Sequence, residues 1–62
     1  MEVFEYTLHK LTHNLKQESK FHMNSAAREV EEGDNAAALR HARIAVDKIE
    51  QLSILKQIKK AN

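Results

Sequence analysis

Glu31-Glu32-Gly33-Asp34-Asn35 is the one interruption in a chain of 62 residues that otherwise reads as helix. Gly33 is the only glycine and proline is absent, so nothing else in the chain breaks a helix. Glycine has no Cβ to clash in the left-handed conformation that closes a helix. Asp34 or Asn35 can then accept hydrogen bonds from the amides that open the next helix. A connection this short makes the flanking helices neighbours and sets them antiparallel. The fold expected is all-α: a hairpin of two long helices, about 3–32 and 35–60, forming a single domain over residues 1–62.

Upstream of the turn, Phe4, Leu8, Leu11, Leu15, Ser19, His22, Ala26 and Val30 follow one another at steps of three and four residues. That is helical spacing throughout. It lies closer to an eleven-residue repeat than to a heptad, which implies a nearly straight helix about 45 Å long. Downstream, the main stripe reads Ala38, Leu39, Ala42, Ala45, Val46, Ile49, Leu52 and Ser53. Pairing about the turn sets Ala42 and Ala45 beside Ser25 and His22, Leu52 against Leu15, and Ile58 against Leu8. Small side chains gather near the turn, so the helices should approach closely there and splay towards the open end.

A hairpin of this size has little to hold it together. A chain of some 60 residues buries only about 60% of the surface its unfolded form exposes, and small scaffolds are usually stabilised by disulfides, a metal or oligomerisation. Cysteine is absent, which removes disulfides, thiolate metal sites and a cysteine nucleophile. Hydrophobic residues make up 42% of the chain, the level of a folded protein and not of a disordered one. The aromatic residues are only Phe4, Tyr6 and Phe21, so the core must rest on aliphatic side chains. No apolar run approaches the roughly 18 residues of a membrane span. The chain opens on Met with Glu2 and Glu5 where a signal sequence carries basic residues. The expectation is therefore a complete, soluble, cytoplasmic protein. A net charge of +1 gives no pointer to nucleic acid or to an anionic membrane.

Self-association is the remaining route to stability. Ile44, Gln51, Ile54, Leu55 and Ile58 project away from the main stripe of the second helix, and burying each large aliphatic is worth about 1.5–3 kcal/mol. These residues are expected to form a protein interface, most simply that of a homodimer packed as a four-helix bundle. Phe21, Met23 and Val3 are similarly off the stripe of the first helix.

Chemistry-bearing groups are sparse. Histidine occurs four times. His9 and His13 stand one turn apart on one helix face with Glu5 a turn earlier, a spacing that can put two imidazoles on one metal ion. The residues between them are Lys10, Leu11 and Thr12, so the general-base glutamate of a metalloprotease is missing and a solvated polar face is the plainer account. No cofactor or resident metal is expected. His22 falls on the core stripe, where Glu18, one turn earlier, is its natural hydrogen-bond partner. Arg40, Arg43 and Lys48 make a modest basic cluster, the one feature that would suit nucleic acid; Lys59 and Lys60 complement the dipole of the helix end. There is no glycine-rich phosphate loop and no recognisable nucleophile setting around Ser19, Ser25 or Ser53, so an enzyme is not expected.

Residues 33–46, Gly-Asp-Asn-Ala-Ala-Ala-Leu-Arg-His-Ala-Arg-Ile-Ala-Val, resemble the second half of a tetratricopeptide repeat. Gly33, Ala38, Leu39, Ala45 and Val46 fill its signature places, while His22, Ser25 and Glu29 stand where its first helix carries large apolar and aromatic residues. The resemblance implies protein–protein interaction. The functional expectation is a small, non-enzymatic helical regulator or adaptor that homodimerises and binds another protein. The alternatives are a nucleic-acid-binding dimer using Arg40, Arg43 and Lys48, and metal binding through His9 and His13.

Overall fold

A computed structural model of the protein describes residues 3–61; Met1, Glu2 and Asn62, and with them the Glu2 part of the leader reading, lie outside the described residues. Helix α1 spans Val3–Glu31 and helix α2 spans Asn35–Ala61, within a residue of the bounds the sequence implies. They lie against each other as an antiparallel hairpin, 46 × 17 × 11 Å in Cα extent. Neither helix is long and apolar enough to cross a membrane among the described residues.

The turn is built from backbone hydrogen bonds. Gly33 has φ of +82°, which lets the Gly33 amide donate to the Val30 carbonyl at 3.1 Å and the Asp34 amide donate to the Glu29 carbonyl at 2.8 Å. These are the paired bonds of a Schellman closure, and they occupy carbonyls that α1 leaves open at its end. Asp34 caps the next helix: its Oδ1 accepts from the Ala37 amide at 3.1 Å and its carbonyl accepts from the Ala38 amide at 3.1 Å. Asn35 is already helical, so of the two candidate caps Asp34 is the one used.

Between the helices the buried side chains are small. Ser25 is 3% exposed and Ala45 2% exposed, with Ala37, Ala38, Ser19 and Leu15 also buried. Leu8, Thr12, His22, Ala26 and Glu29 of α1, and His41, Ala42, Lys48, Leu52 and Leu55 of α2, are half-buried around them. Burial thins towards the open end, as the distribution of small residues implies. No described side chain is fully buried.

The line of contact on α2 differs from the stripe expected. It runs through Ala38, His41, Ala45, Lys48, Leu52 and Leu55, whereas Leu39, Val46 and Ile49 are exposed. Small side chains permit the closest backbone approach, so Ala37, Ala38 and Ala45 set the phase of the helix, and the bulkier residues beside them turn to one flank. Leu55 is correspondingly half-buried, whereas the other four residues expected at an interface, Ile44, Gln51, Ile54 and Ile58, are exposed. On α1, Phe4, Leu11 and Val30 are likewise exposed.

Two kinds of substitution check this geometry. Gly33→Ala meets no atom within 4 Å of the new Cβ, so its cost is the left-handed backbone alone, about 1–2 kcal/mol. Ala45→Leu instead overpacks the helix contact, at about 1–3 kcal/mol. Both should lower the urea midpoint; an unchanged midpoint for either contradicts the corresponding feature.

Candidate functional site

Polar groups concentrate on one side of the seam between the helices. His41 Nδ1 lies 2.6 Å from Glu29 Oε1; because an ionised carboxylate only accepts, the imidazole is the donor. Lys48 Nζ lies 2.8 Å from Glu18 Oε2. Between these two bridges the His22 and His41 rings face each other at 5.2 Å with a tilt of 32°, and Phe21 closes the group edge-on, 5.1 Å from His22 and 6.5 Å from His41. The layer ties α1 to α2 at several heights, so it resists sliding of one helix along the other.

His22 does not have the partner its spacing suggests. Glu18 turns to Lys48 across the seam, and His22 Nδ1 is buried without a hydrogen-bond partner. The Glu29–His41 bridge had no local signal, since its members belong to different helices and their meeting depends on the phase of α2. The buried hydroxyls follow local rules instead. Ser19 Oγ donates to the Lys16 carbonyl at 3.0 Å and Thr12 Oγ1 to the Leu8 carbonyl at 2.8 Å, which lets these side chains lie between the helices without a cross-helix partner.

A carboxylate–imidazole pair can orient a general base, but the groups against the His41 ring are His22 and Phe21, not a hydroxyl. Among the described residues no group of three or more His, Asp or Glu side chains could hold a metal ion. His9 and His13 are both exposed. Of the basic cluster, Arg40 and Arg43 are exposed while Lys48 is half-buried and bridged to Glu18.

Apolar surface lies on both sides of the hairpin. On the side of the histidine layer and round the back of α2 are Ile44, Ile54 and Ile58, with the polar Gln51 among them, all exposed. On the other side the helices enclose an open groove of about 440 Å³, lined by Ala26, Ala27, Val30, Ala38, Leu39 and Ala42 with Asn35 at its end. It runs on into a second hollow of about 350 Å³ where Leu39, Ala42 and Val46 meet Arg43 and Asp47. The sequence does not single out this second surface, because Ala26, Val30, Ala38, Leu39, Ala42 and Val46 all fall on the stripes that its periodicity assigns to the hairpin's own contact.

A buried nitrogen without a partner costs about 1–3 kcal/mol, and an apolar group of similar size removes that cost. His22→Leu should therefore raise the thermal midpoint. A fall in the midpoint would mean that the ring contacts with Phe21 and His41 outweigh the orphaned nitrogen.

Comparison with protein-family models, with curated proteins and with solved structures finds no match for this chain, so the likeness of residues 33–46 to a tetratricopeptide hairpin rests on the turn and the alanine spacing alone.

Proposed function

We propose that this chain is a small helical regulator or adaptor that works by protein–protein interaction as a homodimer and catalyses no reaction. The observation that carries the reading is the amount of surface left uncovered. The hairpin exposes 5038 Å², whereas a compact monomer of its mass exposes about 4,000 Å². Its Cα radius of gyration is 14.3 Å, against about 11 Å for a compact chain of this length. Large aliphatics lie outside the seam on both sides of α2, and the apolar residues of that helix are spread round its circumference. A helix whose apolar residues do not gather on one face cannot bury them all against a single neighbour. Exposed aliphatic side chains that lie next to one another are a means of binding other proteins.

Sedimentation equilibrium at micromolar concentration tests the reading. The expected particle has twice the 7.1 kDa mass of the chain. A folded, helical species at the single-chain mass would contradict it.

A further inference from the structure

We infer, independently of the homodimer reading, that the open half of the groove-side flank binds the phosphate backbone of double-stranded nucleic acid through Lys16, Lys20, Lys56 and Lys60.

Two rows of side chains run along that flank. On α1 the row is His9, His13, Lys16, Lys20, Met23 and Ala27, and on α2 it is Ala42, Val46, Ile49, Ser53, Lys56 and Lys60. Each advances by alternating steps of four and three residues, so each follows one face of its helix. Ala27 and Ala42 line the groove and Val46 the hollow beside it, which fixes the flank that the two rows share. Nearer the turn both rows are apolar; beyond Met23 and Ile49 both become basic, and neither contains an acid. Glu5, one turn before His9, borders the strip at its open end.

The four lysines keep their charge unmatched. All are exposed, as are His9 and His13. The ion pairs among the described residues use His41 and Lys48, on the seam, so no carboxylate neutralises the strip. The net charge of +1 conceals this segregation. Glu18 and Glu29 are engaged in the seam bridges, and Glu31, Glu32 and Asp34 lie at the turn.

The strip has the length and regularity of a backbone contact. The Glu18–Lys48 bridge sets the register of the helices, which places Lys56 level with the turn between His9 and His13 and Lys60 one turn further out. From Lys60 to Lys20 the cations therefore span about 20 Å at 1.5 Å per residue. A duplex carries one charge about every 3.4 Å along each strand, so that length faces about six phosphates of one strand. The strip has no aromatic ring on which an unstacked base could lie; Tyr6, beyond it, carries Lys10 over its ring at 5.9 Å. It also has no arginine or side-chain amide to read base edges, so the contact is to phosphate and indifferent to sequence. Acidic peptide motifs are gripped by arginine clusters and bilayers by aliphatic or aromatic anchors; from Lys60 to Lys20 the rows supply neither. Arg40 and Arg43 lie outside both rows.

Fluorescence anisotropy of a labelled duplex of about 20 base pairs, titrated with the full chain over a range of salt, tests the assignment. With four phosphates engaged per strip, log K should fall against log salt with a slope of about −3.6, so that a fourfold rise in salt weakens binding about 150-fold. Lys16→Gln, Lys20→Gln and Lys56→Gln should each reduce the slope by about one, and the same rise in salt then weakens binding about 40-fold. Unrelated duplex sequences should behave alike, and Arg40→Gln and Arg43→Gln should leave the slope unchanged. Glutamine matches lysine in helix propensity, so circular dichroism should show the same helix content in every variant. No binding at the lowest salt, or a slope that responds to the arginine variants and not to the lysine ones, overturns the assignment. Vesicles of phosphatidylcholine with phosphatidylserine, and polyglutamate, are the competing polyanions; tighter lysine-dependent binding to either than to duplex also overturns it.

Discussion

The left-handed backbone at Gly33 is the constraint from which the molecule follows. With φ at +82° the chain reverses within the span of three residues and closes the carbonyl end of α1 on itself. Asp34 then caps the amide end of α2, so the turn satisfies part of what each helix leaves open there. Two helices of 29 and 27 residues joined this tightly must touch along their length, and the small residues next to the turn decide how closely. Every later feature, including the phase of α2 and the exposure of its aliphatics, is set by that contact.

What a hairpin of this kind can bury is limited by geometry. Each helix offers one strip to its neighbour, and here the strip is made of alanine, serine, histidine and a few leucines. Such side chains hide little apolar area, and none of those described is fully buried. The polar layer adds orientation more than stability: the Glu18–Lys48 bridge is partly solvent-exposed, and bridges of that kind contribute little. The remaining apolar surface lies on α2 and on both ends of α1, with Phe4 and Leu11 exposed near the open end and Met23 and Val30 near the turn.

The turn, the two helices, their antiparallel pairing and the small-residue seam were legible in the sequence because each depends on local chemistry. A lone glycine between helix-forming segments has one structural meaning. The rotation of α2 about its own axis was not legible. Its apolar residues occur on nearly every side, so hydrophobic periodicity favours no single stripe, and Leu39, Val46 and Ile49 looked as suitable for the core as Ala38 and Ala45. Packing selected the alanines, because close backbone approach requires small side chains. That choice moved Leu55 inward, brought His41 to Glu29, drew Glu18 to Lys48 and left His22 Nδ1 alone. Of the interface residues expected from sequence, Ile44, Gln51, Ile54 and Ile58 are indeed exposed; the groove opposite them could be found only once the phase was known.

If the hairpin is half of a structure, its folding is tied to its concentration. A species that binds only the folded form stabilises it by mass action, and a second copy is such a species. The thermal midpoint followed by helical circular dichroism across a hundredfold range of protein concentration is therefore the most direct measurement. The account predicts a midpoint that rises steadily with concentration. A midpoint that stays fixed over the whole range would show that the hairpin is stable alone, and would contradict it.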